Sequence, residues 1–148
     1  MLTEAPKLLG TDARKMSKSY GNTINLAESE DKLRAITQTM FTDPTRIKMS
    51  DPGHPETCNV CNYWTVFAPE RAERVWEECR TSTRGCVQNK KELAEVLVKL
   101  TEPYRMTRAG KKGSVDIEAI LQDGARRARM VAQQTMHEVR RVIGIGAA

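Results

Sequence analysis

Two lysines, Lys15 and Lys18, stand three residues apart shortly before a glycine, and the hydroxyl residues Ser17 and Ser19 alternate with them. Asp12 is the one carboxylate close by in sequence, so the two ammonium groups cannot both be neutralised locally. Phosphoryl and nucleotidyl transfer require positive charge where negative charge spreads onto the leaving phosphates. The pattern therefore predicts a phosphate-binding loop in which the serine hydroxyls are added donors.

Four cysteines form a second group that can do chemistry, in the pattern C-x2-C-x17-C-x6-C. They are Cys58, Cys61, Cys79 and Cys86. The first two are spaced to share a helix face, and the last two flank a predicted turn. In a cytosolic chain such thiols are expected to be reduced or metal-bound, with disulfides as the minor alternative. Two interpretations stay open, a set of thiolate metal ligands or free thiols that fill the helical core.

Composition and charge indicate a globular, cytoplasmic chain. Its 148 residues are 39% hydrophobic and 29% charged, with no apolar run long enough to span a membrane. The opening residues do not resemble a secretory signal. The net charge of +5 is uneven, since Lys and Arg equal Asp and Glu at 15 each up to Glu102 but number 9 against 4 from Pro103 onward. This excess predicts a surface for a polyanion, with a solvated helix face as the alternative.

The hydrophobic spacing predicts a mainly α fold, a helical bundle behind a loop-rich start that holds one short strand around 7–9. One helix should begin after the N-cap Ser29 and end at Asp43, before a proline. Two short helices should follow, one with Val60, Trp64 and Phe67 on its inner face and one that starts at Pro69.

Two long helices should complete the fold. The first is predicted over 89–109, with a kink at Pro103 and with an inner face listed as Leu93, Val96, Leu97, Leu100 and Tyr104. The second should be capped by Ser114 and end at Ile143, with Gly144 as the C-terminal cap. Several arginines lie off its apolar stripe, namely Arg126, Arg127, Arg129, Arg140 and Arg141.

The loop sequence "KMSKS", residues 15–19, matches the second signature of class I aminoacyl-tRNA synthetases letter for letter. With "YGNTINL", "TMFTDPTRIKMSDPGHPE" and "LQDGARRARMVAQQTMHEVRRVIG", the whole chain resembles the bacterial tryptophanyl-tRNA synthetase family. The resemblance implies that Lys18 is the principal phosphate ligand, Lys15 a supporting one and Met16 an apolar anchor. Ser17 and Ser19 complete the implied ATP-binding loop.

The resemblance also implies partners and a domain division. The substrates are ATP with Mg²⁺ and tryptophan, and the macromolecular partner is tRNA(Trp). Residues 1–28 correspond to the end of a Rossmann-like catalytic domain with the lysine loop. Residues 29–148 correspond to the helical anticodon-binding domain. The family is homodimeric, and a chain of this extent is expected to be monomeric.

One family feature is missing. The first class I signature, His-x-Gly-His, has no match, because His54 and His137 both stand in other sequence contexts. The expectation is a C-terminal portion of the enzyme that does not activate tryptophan alone. The alternative is a free-standing, non-catalytic module that binds tRNA or has a regulatory role.

Some members of the family hold a [4Fe-4S] cluster on four cysteines in this region. By resemblance, Cys58, Cys79 and Cys86 match the first three ligands, whereas Asn89 occupies the fourth place. Cys61 is an additional cysteine that would substitute for it. Zinc is the alternative metal, since four thiolates suit both.

Overall fold

The computed structural model describes residues 7–146 of the chain. Within these residues five α-helices follow one another, and their bounds are α1, Glu30–Gln38; α2, Asn59–Phe67; α3, Pro69–Arg80; α4, Cys86–Lys111; and α5, Ile117–Ile143. The prediction of a mainly α fold is confirmed. Two compact units divide the chain, Met1–Arg108 and Ala109–Ala148. No helix in the described part is both long and apolar enough to cross a membrane.

The start of the described chain is irregular. The strand predicted around 7–9 is wrong for the residues described, where Leu9 forms only an isolated antiparallel bridge with Lys15. The chain turns back directly after Leu9, where the Gly10 N–H donates to the Arg14 carbonyl at 2.7 Å. This turn leaves no room for a longer strand. The first six residues of the predicted loop lie outside the described part.

Helix α1 begins as predicted. The Ser29 hydroxyl accepts a hydrogen bond from the Lys32 N–H at 3.4 Å, and acidic residues occupy the first turn, where they favour the positive end of the helix dipole. The helix ends at Gln38, earlier than the predicted Asp43. Its side chain Leu33 is fully buried.

Helices α2 and α3 pack against each other and form most of the core. Trp64 is fully buried, and its indole Nε1–H donates to Asn89 Oδ1 of α4 at 2.7 Å, so its one polar group is satisfied. Pro69 occupies the first turn of α3, where it has no N–H to leave unpaired. Both short helices confirm the predicted apolar spacing.

An arginine ties α3 to α4. The guanidinium of Arg84, 7% exposed, lies 2.6 Å from a carboxylate oxygen of Glu78 and 2.9 Å from one of Glu92. Helix α4 starts three residues before the predicted Asn89 and continues through Pro103. This early start places Cys86 in the helix.

The inner face of α4 is only partly as predicted. Leu93 and Leu97 are buried, but Leu100 and Tyr104 are 45% and 54% exposed. The predicted stripe is wrong there, because the second half of α4 extends beyond the packed core.

Helix α5 is capped by Asp116, not by the predicted Ser114. The Asp116 carboxylate accepts from the Ala119 N–H at 3.0 Å, while the Ser114 hydroxyl donates to the Gly110 carbonyl at the end of α4. The predicted end is confirmed. Gly144 has φ of 70°, a left-handed conformation that favours glycine, and its N–H donates to the Arg140 carbonyl.

Candidate functional site

The lysine loop, residues 10–22, is a folded hairpin-like turn. Its first part is a turn closed by a hydrogen bond from the Ala13 N–H to the Gly10 carbonyl, at 3.0 Å. Ala13 has a left-handed conformation, with φ of 62°. Its second part is a short 3-10 helix, Lys18–Tyr20, that ends at Gly21 with φ 65°. The loop therefore has a defined backbone on both sides of Met16.

The side chains of the loop divide by exposure. Lys15, Lys18 and Ser19 are exposed, whereas Met16 and Ser17 are half-buried. Within residues 7–146 no carboxylate forms an ion pair with either lysine. The two ammonium groups that the sequence singled out are thus both available to a ligand.

Asn22 lies at the centre of the loop and is only 3% exposed. Its Oδ1 accepts from the Ser17 N–H at 2.8 Å. Its amide nitrogen donates to Asp12 Oδ1 at 2.7 Å and to the Lys15 carbonyl at 3.1 Å. One buried side chain therefore joins three points of the loop.

Asp12 is occupied by partners other than the lysines. Arg14 donates from its backbone N–H and from Nε to the two carboxylate oxygens, at 3.0 and 2.7 Å. The hydrogen bond from Asn22, supported by Arg14, lowers the pKa of Asp12 to about 2. The one nearby carboxylate is thus ionised and fully engaged, which keeps it away from Lys15 and Lys18.

The base of the loop is attached to α2. Asn59 Nδ2 donates to the Gly10 carbonyl at 2.8 Å, and the Tyr63 hydroxyl donates to the Leu9 carbonyl at 2.6 Å. Burial raises the pKa of Tyr63 to about 12, so its phenol is neutral and can donate at physiological pH. The loop therefore rests on a core helix rather than on another loop.

The four cysteines lie at helix ends in the same unit, and all are free. Cys58 is the N-cap of α2, Cys61 lies in its first turn, Cys79 lies near the end of α3, and Cys86 begins α4. The first three are buried and Cys86 is half-buried. The helices bring Cys58, Cys61 and Cys79 into one neighbourhood, in which Cys61 contacts the other two thiols.

Cys61 is the central thiol of that neighbourhood. Its interaction with Cys58 and Cys79 raises its own pKa and lowers the pKa of each neighbour, because Cys61 keeps its proton and donates it to them. Asn89, at the fourth place of the implied ligand pattern, lies with Nδ2 3.7 Å from Cys61 Sγ. Cys61 and Asn89 are therefore neighbours in space, although 28 residues separate them.

The present arrangement does not fit a metal ion. Across residues 7–146, no three side chains among His, Cys, Asp and Glu are placed to hold one. The fourth thiol, Cys86, has its sulfur 3.9 Å from the guanidinium Nη1 of Arg46. The ligand set for a [4Fe-4S] cluster or zinc stays a prediction.

His54 forms part of a structural connector. Its backbone N–H and ring Nδ1 lie 2.9 and 2.8 Å from Asp43 Oδ2, and Thr45 donates to Oδ1. Burial alone would raise the pKa of Asp43, but the hydrogen bonds from Thr45 and His54 outweigh it and hold the pKa well below its ordinary value. This histidine orders the turn before α2.

Basic residues cluster near the end of α5. A groove there is lined by three arginines and His137 together with uncharged residues, among them Ala132, Met136 and Ile145. Two other arginines of the helix, Arg126 and Arg127, are paired with Asp123. Helix α5 thus carries five of the nine basic residues of the C-terminal third, against three acidic ones.

Sequence reasoning missed the residues that frame the loop. Asn22 stands in the quoted stretch "YGNTINL", but the sequence pattern alone assigns no role to it or to Gly10, Arg14 and Asn59. A signal for Asn22 existed, because asparagine after a glycine in a tight loop commonly bonds nearby backbone. Asn59 had no such signal, since its partner is 49 residues away.

The comparisons with known proteins agree on one family. The family model for tRNA synthetases class I (W and Y) matches residues 2–102. The tryptophan–tRNA ligase of Thermotoga maritima is 42% identical over 148 residues, a match that covers 98% of this chain and 45% of the relative. That of Aquifex aeolicus is 38% identical and is covered over 38% of its length. This chain thus spans less than half the length of these relatives.

A solved structure is also similar. Tryptophanyl-tRNA synthetase from Campylobacter jejuni, complexed with ADP and tryptophan, has a TM-score of 0.77 and 28% sequence identity. The match covers 98% of this chain and 46% of that one.

Proposed function

We propose, since this chain belongs to the class I tRNA synthetase family of the W and Y enzymes, that it supplies the phosphate-binding loop of a tryptophan–tRNA ligase. The observation that carries the proposal is the state of the lysine loop. Lys15 and Lys18 are exposed, and Asp12, which would otherwise neutralise one of them, is held by Arg14 and Asn22. Exposed cations on a fixed backbone suit a polyphosphate ligand.

The proposed reaction is formation of tryptophanyl-adenylate. A carboxylate oxygen of tryptophan attacks the α-phosphorus of ATP, the bond from that phosphorus to the bridging oxygen breaks, and pyrophosphate leaves. Mg²⁺, when bound, would supply further positive charge to the phosphates. Lys18 is the main group that stabilises the charge on the leaving pyrophosphate, and Lys15 supports it. Ser17 and Ser19 hydroxyls are additional donors.

The remainder of the chain is proposed to bind tRNA(Trp). In this division residues 1–28 end the catalytic domain and residues 29–148 form the anticodon-binding domain, so that the chain is a C-terminal portion of a cytoplasmic enzyme. The arginine-lined groove of α5 supports a role in contacting phosphates. Arg105 is unsuited to this role, because its guanidinium is 14% exposed and donates to Thr101 and the Val98 carbonyl.

Tryptophan-dependent exchange between ATP and pyrophosphate tests the catalytic part. The chain would replace the matching segment of the Thermotoga maritima relative, which supplies the rest of the catalytic domain. We expect exchange by this chimera and a loss of roughly 100-fold with Lys18→Ala, the cost of removing one charge-stabilising donor. Lys48→Ala, which removes an exposed lysine outside the loop, is the matched control.

Binding of tRNA(Trp) by the 148-residue chain tests the second part. Affinity should fall steeply with salt, and Arg140→Ala should reduce the slope by about one counterion. Salt-dependent tRNA binding together with a chimera that performs no exchange would favour the non-catalytic module instead. Absence of both activities would contradict the proposal as a whole.

A further inference from the structure

We propose that Asn22 is a positioning residue of the lysine loop, whose buried amide fixes the backbone at Lys15 and Ser17 and so presents both lysines to a polyphosphate. The structural part of this inference stands on the hydrogen bonds of the loop. The polyphosphate part rests on the function proposed above. Asn22 touches no reacting group, so its effect acts through the lysines.

The hydrogen bonds of Asn22 permit a single orientation of its amide. Oδ1 faces the Ser17 N–H, and the two amide hydrogens face Asp12 Oδ1 and the Lys15 carbonyl. Exchanging the oxygen and nitrogen would set donor against donor at Ser17 and acceptor against acceptor at the other two contacts. Because the side chain is buried, water cannot replace a lost partner at low cost.

The amide holds both sides of the signature. Ser17 follows Met16 and Lys15 precedes it, so contacts to both fix the peptide groups between the two lysines. Lys18 then begins the short 3-10 helix immediately after Ser17. The position of each ammonium group thus depends on a backbone that Asn22 restrains.

Gly10 packs directly against the Asn22 side chain. A Cβ at Gly10 would lie closer to the Asn22 amide group than any real contact, and 2.7 Å from the Asn22 carbonyl oxygen. The Gly10 carbonyl accepts from Asn59 of α2, and the Thr11 N–H donates to the Asn22 carbonyl at 3.0 Å. Asn22 therefore connects the signature to the core through Gly10.

The first experiment measures the loop in the 148-residue chain by NMR. Asn22→Ala should accelerate hydrogen exchange of the Ser17 amide by roughly tenfold, as expected for the loss of a protecting hydrogen bond. It should also raise the pKa of Asp12 from about 2 towards its ordinary 3.8, because the largest lowering contribution comes from Asn22. Asn25→Ala, at an exposed asparagine that bonds Glu28, should change neither value.

A reciprocal exchange of the two side chains provides the rescue. Asn22→Asp alone sets two carboxylates against each other and should lose Ser17 protection. Combined with Asp12→Asn, it restores a donor facing an acceptor and keeps an oxygen for the Ser17 N–H, so protection should partly return. If Asn22→Ala does not fold, the Asn22→Asp variant and the double variant still test whether the Asn22 amide restrains the loop. Equal Ser17 exchange in the wild type and Asn22→Asp would overturn the inference, as would equal exchange in the single and double variants.

Binding of inorganic pyrophosphate to the same proteins tests the link to function. Asn22→Ala should weaken binding several-fold, and the Asp12→Asn/Asn22→Asp variant should recover part of it. Lys18→Ala should abolish most of the binding in every background. If the wild type and Lys18→Ala bind pyrophosphate alike, the proposed function and the polyphosphate part fail together. Ser17 exchange would still decide whether Asn22 positions the loop.

Discussion

The lysine loop and the cysteine segment hold their reactive groups in opposite ways. In the loop the reactive lysines are exposed, and the residue that organises them, Asn22, is buried. In the cysteine segment the reactive thiols are themselves core residues, apart from half-buried Cys86. Residue type and spacing suggested chemistry in both regions. The loop leaves both lysines accessible to a ligand from solution, whereas three of the four thiols are buried.

The difference in exposure follows from the polarity of the two kinds of side chain. A lysine ammonium group loses hydration when buried, so it stays at the surface unless it is paired. A thiol behaves as a small apolar group and packs readily among Val60, Trp64 and Val75. Accessibility, rather than the presence of a motif, therefore separates the two candidate sites.

The largest expected effect concerns thiol reactivity. In the native chain a soluble aromatic disulfide reagent should modify Cys86 first, and the three buried thiols roughly 100-fold more slowly, since they react only after opening. All four should react at once in denaturant. Cys86→Ser should remove the fast phase, whereas Cys58→Ser should retain it.

Metal analysis on anaerobically purified protein tests whether the cysteines are buried core residues or metal ligands. Protection of Cys86 together with about four iron and four sulfide per chain would show that the segment is a cluster site. Bound zinc with the same protection would indicate the alternative metal. Either result would contradict the expected fast reaction of Cys86.

The next largest expected effect concerns the packing of the lysine loop at Gly10. Gly10→Ala should destabilise the chain by about 1–3 kcal/mol, the usual cost of overpacking, because its Cβ would meet the Asn22 amide group. Urea denaturation measures the free energy of unfolding. Gly85→Ala is the matched control, since the nearest atom to its Cβ lies 4.0 Å away. Equal stability of the two variants would show that the loop does not rest tightly on Gly10.

Much of the helical fold could be predicted from local signals. Ser29 and Pro69 mark helix starts through their own backbone preferences, and Gly144 marks an end. The cap of α5 could not be chosen, because Ser114 and Asp116 are both good N-caps two residues apart. The exposure of the outer half of α4 could not be predicted, because an apolar stripe does not reveal where its packing partner ends.

The candidate site was predictable in composition but not in arrangement. Lys15 and Lys18 stand out because two cations with little local neutralisation are conspicuous in a sequence. The role of Asn22 depends on three partners that only the folded loop brings together. Likewise, the proximity of Cys61 and Asn89 needs two helices to meet. Tertiary contacts of this kind have no periodicity to detect.

The smallest effect concerns Tyr63, which connects the two regions from the helix that carries Cys58 and Cys61. Tyr63→Phe removes the hydrogen bond to the Leu9 carbonyl and should cost about 1 kcal/mol of unfolding free energy. The wild type should also lose stability at high pH. Its folded pKa of about 12 exceeds the ordinary 10, so the stabilisation from the neutral phenol is complete below pH 10 and is lost as the pH rises towards 12.

Thermal unfolding between pH 8 and pH 12 would measure both contributions of Tyr63. Tyr63→Phe should flatten the loss of stability above pH 10, because the variant has no phenol at that position to ionise. Tyr104→Phe is the control, since that ring is 54% exposed. Identical pH profiles for the two variants would contradict the burial of the Tyr63 phenol. A flattened profile for Tyr63→Phe alone, together with lower stability of that variant below pH 10, would show that the loop draws part of its stability from the helix that carries Cys61.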